Sequence, residues 1–278
     1  MKSRIAVTGA TGFLGQHVIN HLLDSGIEAV ATARTPSGAS NRCCFVPLDI
    51  ANPPPDAFER LGAPEVLIHL AWHGLPNYRS RHHFEQGLPH HYGFLKGLIE
   101  AGLQKLVVAG TCFEYGLQSG ALSEQTPTDP CTAYGFAKDA LRRQLEYLTA
   151  EHATQLVWTR LFYLWGEGQA SGSLYAQLSA AAQRGEPQFK MSGGEQLRDY
   201  LHVAEAARHL VTLAMRPCAF SLINLCSGHP ISIRRLVERW ISEQGWTIRP
   251  QFGCYPYPDY EPLAFWGDAA RLNQTVSV

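Results

Sequence analysis

The stretch TGATGFLG at residues 8–15 decides the fold of this chain. It follows the apolar run RIAV at residues 4–7 directly and precedes the amphipathic stretch QHVINHLL. A short strand, a glycine turn and the start of a helix, in that order, form a cradle for a pyrophosphate group. Gly9 would permit the tight turn, Gly12 would let the backbone approach the phosphates, and Gly15 would let the helix pack on the strand. Because the free N–H groups at the start of the helix then face an anion, the stretch predicts a dinucleotide site.

Strand-like and helix-like segments alternate along most of the chain. Most strand candidates are continuous apolar runs rich in Val, Ile and Leu, a pattern typical of a parallel sheet that is covered on both faces. The predicted strands are 5–9, 29–33, 45–48, 66–71, 106–110, 156–161 and 222–226. The predicted helices are 12–25, 91–101, 132–150, 173–183, 203–215 and 232–243. This order predicts an α/β fold with a doubly wound parallel sheet and right-handed crossovers.

The alternation loosens beyond about residue 161. We therefore expect a dinucleotide-binding domain over residues 1–161, to which a strand near 222–226 returns, and a mainly substrate-binding region over 162–278. The chain of 278 residues is long enough for both parts and for a sizeable core.

The composition is that of a soluble globular protein, with 45% apolar and 17% charged residues. The formal net charge is -1, so no overall field attracts nucleic acid or an anionic membrane. No apolar run is long enough to span a membrane, and the N-terminus runs straight into a strand instead of a signal peptide, so we expect a cytoplasmic protein. Seven cysteines without a C-x-x-C pair indicate reduced thiols.

Two histidine pairs, His82-His83 and His90-His91, raise the question of a metal site. No carboxylates or cysteines accompany them at an ordered ligand spacing, so we expect no bound metal. We interpret the pairs as part of a solvated helix or of an interface.

Three polar residues in the middle of the chain are candidates for catalysis. Tyr134 and Lys138 are four residues apart at the start of a predicted helix, so they share one face. An ammonium beside a phenol would lower the pKa of the phenol towards neutrality and prepare it for proton transfer. Thr111 follows the strand 106–110 at its carboxyl end, where ligands bind in open α/β sheets. Taken alone, the helical pair could be exposed to solvent and the threonine could cap a turn.

Six motifs resemble those of the extended short-chain dehydrogenase/reductases, and within them the NAD-dependent epimerase/dehydratase group. They are the glycines at 9, 12 and 15, HLA at 69–71, GTCFEYG at 110–116, Tyr134 with Lys138, RLFYLWG at 160–166 and RDYLHV at 198–203. They span nearly the whole chain in the order of the family, whose members mostly act on nucleotide-sugars. The resemblance implies a Rossmann-type sheet with a small C-terminal substrate-binding region.

The resemblance also implies roles for individual residues. Tyr134 would be the general acid/base, Lys138 its pKa partner and a ligand of the cofactor ribose, and Thr111 the hydroxyl that holds the sugar oxygen. With Tyr134 and Lys138, the implied cofactor-binding residues are Gly9, Thr11, Gly12, Phe13, Leu14, Gly15, Arg34, Asp49, Ile50, Leu70 and Ala71. The implied substrate-binding residues are Trp72, Cys112, Phe113, Tyr163 and Arg198.

The end of the second predicted strand departs from the NAD-binding pattern. An acidic residue is expected there to hold the ribose 2′-OH, but residues 31–35 read ATART. Arg34 suits a 2′-phosphate instead, so NADP(H) is favoured over NAD(H). The other interpretation is that Arg34 stacks on the adenine or faces solvent.

The residues after Thr111 argue against a dehydratase. The resemblance implies an acidic pair at this place in the dehydratases, whereas this chain has Cys112 and Phe113, and Glu114 is one position too far along. Cys112 could be a carbon acid/base of a 3,5-epimerase, but a cysteine at a strand end is more often a small packed hydrophobe.

The expected substrate side contains an arginine and two aromatic loops. Arg198 matches the arginine that clamps the substrate diphosphate, a task for its planar fork of donors, although an internal ion pair with Asp199 or a glutamate is the alternative. Tyr163 replaces an asparagine that many relatives use beside the diphosphate. The loops at 72–78 and 255–262 could form the sugar or base pocket, or equally fill the core of the C-terminal region.

The resulting prediction is an NADPH-dependent reductase that acts on the C4 keto group of a nucleotide-linked 4-keto-6-deoxyhexose, with a dTDP-sugar preferred. The first alternative is a C4 epimerase that retains tightly held NAD. The second is a protein that binds NADP(H) as a sensor without catalysis, since the fold alone does not establish activity. The resemblance implies a homodimer formed through the helices 91–101 and 132–150.

Overall fold

The computed structural model describes residues 4–38 and 40–276. A seven-stranded parallel sheet forms its centre. The strands of this sheet are β1 Ile5–Thr8, β2 Ala29–Ala33, β3 Cys44–Pro47, β4 Val66–His69, β5 Lys105–Thr111, β7 Gln155–Leu161 and β11 Leu222–Leu225. Their order across the sheet is β3-β2-β1-β4-β5-β7-β11, and every neighbouring pair is parallel. The sheet contains all seven predicted strands, so the predicted fold class is confirmed, and β11 returns to it by pairing with β7.

Helices cover both faces of the sheet. The α-helices of the described residues are α1 Phe13–Asp24, α2 Ala57–Arg60, α3 Leu88–Glu100, α4 Ala133–Ala150, α5 Leu174–Gln183, α6 Val203–Met215, α7 Ile233–Gln244 and α8 Ala270–Val276, of which α5 and α7 pack in a separate cluster away from the central sheet. Successive residues of a strand point to opposite faces, and β1 shows this directly. Ile5 and Val7 pack in the core cluster under α1 and α6, whereas Ala6 packs in the cluster under α3 and α4.

Side-chain caps fix where several helices begin. Thr132 Oγ1 accepts a hydrogen bond from the N–H of Gly135 at 3.0 Å, and Ser173 and Ser232 cap α5 and α7 in the same way. The predicted starts at 132, 173 and 232 fall on these caps, which lie one residue before the first helical residue. The helix predicted from residue 91 begins earlier, at Leu88, after a single π-helical turn over His83–Gly87.

Three small sheets lie outside the central one. They contain β8 Tyr163–Trp165 with β10 Leu197–His202 and β12 Pro230–Ser232, β9 Gln188–Lys190 with β13 Arg249–Gln251, and β6 Gly120–Leu122 with β14 Phe265–Gly267. A separate core cluster around Trp240 and Phe189 packs beneath the first two. The division of the chain into domains at residue 161 stays a prediction.

None of the helices described over 4–38 and 40–276 has the length and apolar character needed to cross a membrane.

Candidate cofactor and substrate site

A cleft of about 570 Å³ opens at the carboxyl ends of the central strands. It lies where β1 is flanked by β2 on one side and β4 on the other, which is the point at which the strand order reverses. Eight of the expected cofactor residues line it: Gly9, Thr11, Gly12, Arg34, Asp49, Ile50, Leu70 and Ala71. The other five do not line the cleft: Phe13, Leu14 and Gly15 are in the first turn of α1, and Tyr134 and Lys138 are on α4.

The glycine turn is folded so tightly that side chains would not fit. Gly9 has φ +67°, and the N–H of Gly12 donates to its carbonyl oxygen at 3.0 Å. A Cβ at Gly15 would lie 2.1 Å from that same oxygen, so α1 can approach β1 only with glycine here. The turn therefore aims the first N–H groups of α1 at the cleft, as pyrophosphate binding requires.

The far end of the cleft has polar groups suited to a nucleoside. Arg34 is exposed there, and Asp49 accepts a hydrogen bond from the N–H of Ala51 at 3.1 Å. The Thr32 hydroxyl lines the cleft, is buried, and has no hydrogen-bond partner among the described residues. An orphaned hydroxyl at this place is consistent with a ligand, and together with the glycine turn these groups fit a dinucleotide.

The three expected catalytic residues lie together. Thr111 Oγ1 accepts from the N–H of Phe113 at 3.3 Å, and the Thr111 side chain is a hydrogen-bond partner that lowers the pKa of Tyr134. Lys138 lies one turn along α4 from Tyr134, and its Nζ donates to the carbonyl oxygen of Ala109 at 2.7 Å. Thr111 is thus both the cap of the turn over Cys112–Tyr115 and a partner of Tyr134.

Burial shifts the pKa values of Tyr134 and Lys138. It raises the pKa of Tyr134, a shift that the hydrogen bond from Thr111 opposes, and it lowers the pKa of Lys138 to about 7. The expectation that Lys138 makes Tyr134 acidic is therefore wrong for the protein by itself. The phenol is shielded from water, and desolvation of the phenolate outweighs the effect of its neighbours.

Aromatic and imidazole side chains surround the catalytic group. Trp72, expected to bind substrate, forms part of the cofactor cleft and stacks on His91 with ring centroids 4.4 Å apart. His83 and His91 are buried, whereas His82 is half-buried and His90 is exposed, so the interpretation as a solvated helix is wrong for one histidine of each pair. Burial lowers the pKa of both, and each pairs with a neighbouring ring. Within 4–38 and 40–276, no three or more His, Cys, Asp or Glu side chains form a group able to hold a metal ion.

Glu114 is a site residue that sequence reasoning did not identify. It is fully buried, and its Oε1 accepts from the N–H of Thr111 and from Trp158 Nε1, each at 2.9 Å. Its Oε2 accepts from Arg160 Nε at 2.7 Å. Glu114 therefore fixes the backbone of Thr111. The only signal in the sequence is a carboxylate inside the otherwise apolar segment 112–115.

A second cavity, of about 300 Å³, is lined by residues between 163 and 261. Tyr163, Arg198, Tyr200 and Glu261 line it. Arg198 is buried, its Nη2 donates to Glu261 at 2.9 Å, and its guanidinium lies 4.7 Å from the ring of Phe265. The alternative of an internal ion pair with a glutamate is thus present in the structure. The role of Arg198 as a diphosphate ligand stays a prediction.

The two aromatic loops meet over the site. The Tyr78 ring lies 5.7 Å from that of Tyr134 and 5.9 Å from that of Tyr260, and Arg79 pairs with Asp259 at 2.5 Å. The loops at 72–78 and 255–262 therefore border the catalytic group, which favours the interpretation that they form a pocket.

The expected residues Cys112 and Phe113 lie at the base of this region. Phe113 contacts Tyr78 at a centroid distance of 4.8 Å. Cys112 is buried in the cluster that contains Tyr115 and Phe162, and burial raises the pKa of its thiol. This environment fits a packed apolar side chain better than an acid or base.

Known proteins resemble this chain in sequence and in structure. A model of the NAD dependent epimerase/dehydratase family matches residues 5–224. The dTDP-6-deoxy-L-talose 4-dehydrogenase (NAD(+)) of Aggregatibacter actinomycetemcomitans is 29% identical over 268 residues, which cover 95% of this chain and 98% of that protein. The UDP-glucose 4-epimerase of Azospirillum brasilense is 28% identical over 296 residues, or 96% of this chain and 85% of that protein. The solved structure of MoeE5 in complex with UDP-glucuronic acid and NAD has a TM-score of 0.83 and 26% identity, covering 99% of this chain and 92% of MoeE5.

The family match covers most of the chain, including the glycine turn and the Tyr134–Lys138 pair. The predicted family and the predicted enzyme class are therefore confirmed. The chain belongs to the NAD-dependent epimerase/dehydratase family and is an NAD(P)-dependent enzyme.

Proposed function

We propose that this enzyme reduces the C4 keto group of a nucleotide-linked 4-keto-6-deoxyhexose, with NADPH as the preferred coenzyme and a dTDP-sugar as the preferred substrate. The observation that carries the proposal is the cluster of Tyr134, Thr111 and Lys138 beside Trp72, which lines the cofactor cleft. The relative from Aggregatibacter supports it, because its name describes a redox reaction at C4 of a dTDP-linked 6-deoxyhexose.

The ionisation of Tyr134 suits the reducing direction. NAD(P)H, when bound, supplies the hydride that forms the new C–H bond at C4. Because burial raises the pKa of Tyr134, the phenol is protonated at neutral pH and can give its proton to the developing alkoxide oxygen. A hydrogen bond donated by the Thr111 hydroxyl would stabilise the phenolate that remains, with the Lys138 ammonium one turn away.

The coenzyme preference is based on Arg34. This guanidinium lines the cleft at the end of β2, and the segment 29–35 contains no carboxylate to hold a ribose 2′-OH. A 2′-phosphate would accept charge-assisted hydrogen bonds from Arg34. The Aggregatibacter relative is named for NAD(+), so the two coenzymes must be compared directly.

C4 epimerisation is the second candidate function. The Azospirillum relative is named as an epimerase, and it matches almost the whole of this chain. An epimerase oxidises and reduces the same carbon, so it would interconvert a nucleotide-hexose without net use of added coenzyme. The assembly of homodimers through α3 and α4 also stays a prediction.

A pair of tyrosine variants on one helix tests the proposed reduction. Purified protein is given a dTDP-4-keto-6-deoxyhexose with NADPH or with NADH, and coenzyme oxidation is followed by absorbance. We expect Tyr134→Phe to lower kcat by about 100-fold or more, the usual contribution of a positioned proton donor. Tyr147→Phe is the matched control on α4, because Tyr147 is 79% exposed and lies outside the site.

Three results would contradict the proposal. Full activity of Tyr134→Phe would remove the phenol from the chemistry. Conversion of a nucleotide-hexose to its C4 epimer without coenzyme oxidation would favour the epimerase. Binding of NADPH without reduction of any dTDP-, GDP-, UDP- or CDP-linked 4-ketosugar would favour the sensor.

A further inference from the structure

Lys138 lies in an environment that offers its charge little direct compensation. Its side chain is buried, and among the residues that the structure describes, its Nζ donates one hydrogen bond, to the carbonyl oxygen of Ala109. Within the described part of the chain, Lys138 forms no ion pair, and the buried Glu114 is engaged by Arg160. The Nζ atom instead lies 4.0 Å from the ring centroid of Trp72 and 6.0 Å from that of Trp158. The first distance is well within the range of a cation–π interaction.

Hydrogen bonds through His83 fix the orientation of the Trp72 ring. Trp72 Nε1 donates to His83 Nδ1 at 3.1 Å, and His83 Nε2 lies 2.9 Å from the carbonyl oxygen of Asn77. An indole nitrogen can only donate, so His83 Nδ1 must be an acceptor and the ring proton must be on Nε2. The neutral Nε2–H tautomer is the one form of His83 that satisfies both contacts.

A second imidazole supports the face of the indole. His91 stacks on Trp72 with an interplanar angle of 15°. Its Nδ1 lies 2.8 Å from His69 Nε2, and His69 Nδ1 lies 2.9 Å from Thr8 Oγ1. The rings of His69 and His91 are buried, so β1, β4 and α3 hold the indole in one place.

We propose that Trp72 is a positioning residue for Lys138, and that its indole face, oriented by His83 and His91, holds the Lys138 ammonium at the end of the cofactor cleft. This inference rests on the proposed function and deepens it. A ring quadrupole attracts a cation without bringing a second charge into the site, and a desolvated cation gains more from it than an exposed one does. An acidic side chain would also stabilise the ammonium, but its negative charge would repel a phenolate or an alkoxide nearby.

The charge of Lys138 is sensitive to this contact. Burial lowers the pKa of Lys138 to about 7, and Glu114 in the turn 112–115 raises it. The other titratable groups that face it are Tyr134 on the same helix and three imidazoles, His69 on β4, His83 in the π-helical turn and His91 on α3. Those imidazoles are kept neutral by burial, so the groups beside Nζ that favour the charged ammonium are the Ala109 carbonyl oxygen at 2.7 Å and the Trp72 ring at 4.0 Å.

Titration of Lys138 by NMR tests the proposal without reference to turnover. The chain has five lysines, so lysine labelled with ¹³C at Cε gives few signals, and Lys138→Arg identifies the signal of Lys138. We expect Trp72→Leu to lower the pKa of Lys138 by roughly one unit. Trp72→Phe, which keeps a weaker aromatic face, should give a smaller shift. Trp246→Phe is the control, because Trp246 packs in the separate cluster around Trp240.

The outcomes separate the two proposals. An unchanged or increased pKa of Lys138 in both Trp72 variants would overturn the positioning role, whatever the reaction is. If the pKa falls as expected, the alkaline limb of the kcat profile for ketone reduction should move to lower pH by the same amount. If the pKa of Lys138 shifts as expected but the protein reduces no ketosugar, the positioning role of Trp72 is supported and the proposed function is refuted. Trp72→Phe keeps the test available if Trp72→Leu does not fold.

Discussion

Burial acts in opposite directions on the two ionisable groups of the catalytic pair. It raises the pKa of Tyr134 and lowers that of Lys138, so desolvation favours the neutral form of each. In the proposed reaction the phenol loses its proton only when the alkoxide accepts it. The phenolate that forms then lies one helical turn from an ammonium, so the pair is arranged to favour charge in the product state more than in the resting enzyme.

Arg34 gives a residue-level prediction for the coenzyme. We expect Arg34→Ala to raise the KM for NADPH by about 10- to 100-fold, the range of a lost charge-assisted hydrogen bond, and to leave the KM for NADH unchanged. Arg42→Ala is the control, because Arg42 is exposed, pairs with Asp24 and does not line the cleft. Steady-state kinetics with both coenzymes measure the effect. An equal rise for NADPH and NADH would indicate that Arg34 stacks on the adenine instead.

The candidate site was predictable where its residues are close in sequence. The glycine spacing at 8–15 predicts the turn, and the four-residue spacing of Tyr134 and Lys138 predicts that they share a helix face. Both predictions succeed because turns and helices are determined by residues close in sequence. Glu114 pairs with Arg160 across 46 positions, and Arg198 pairs with Glu261 across 63. Such pairs depend on how strands and loops assemble, which no local pattern contains. The direction of the Tyr134 pKa shift was missed for the same reason, because burial is a property of the assembled fold.

Three imidazoles connect secondary-structure elements near the site. His69 is on β4, His91 is on α3 and His83 is in the turn before α3, and each is buried. Burial lowers the pKa of all three, that of His69 to about 3. The unfolded chain takes up protons at these histidines near pH 6.5, whereas the folded protein resists protonation until lower pH. The unfolded state therefore binds more protons below pH 6.5, and stability falls as the pH falls.

His83→Gln tests this dependence, because a glutamine can accept from Trp72 Nε1 and donate to the Asn77 carbonyl without titrating. We expect the free energy of unfolding, measured by denaturant titration between pH 5 and pH 6.5, to depend less on pH in this variant than in the wild type. His229→Gln is the control at an exposed position. The same pH dependence in His83→Gln and in the wild type would contradict the neutral, buried state of His83.

Elements differ in how well the sequence predicts them. The strands of the central sheet are largely buried apolar runs, apart from the partly exposed edge strand β3, and the amphipathic helices have clear starts. The strands of the small sheets, such as β9 and β13, have only three residues, too few for a period of two to stand out. They are held by pairing with distant partners, so only the assembled chain defines them.

At the scale of the whole molecule, the protein has a cleft at the carboxyl edge of the central sheet and a second cavity in its C-terminal region. The larger cleft adjoins the glycine turn and Trp72, whose ring lies 5.9 Å from that of Tyr134, and the smaller cavity adjoins Arg198. This arrangement suits a reaction in which a coenzyme and a nucleotide-sugar meet at a single carbon. The central claim is that this carbon is C4 and that it gains a hydride.

Transfer of deuterium tests this claim most directly. The enzyme is incubated with a dTDP-4-keto-6-deoxyhexose and NADPH that carries deuterium at C4 of the nicotinamide, and the product is examined by mass spectrometry and NMR. The account predicts one deuterium, located at C4 of the sugar, when the transferred face of the coenzyme is labelled, and one coenzyme oxidised for each product formed. Deuterium at another carbon, or a sugar product formed without oxidation of the coenzyme, would contradict it.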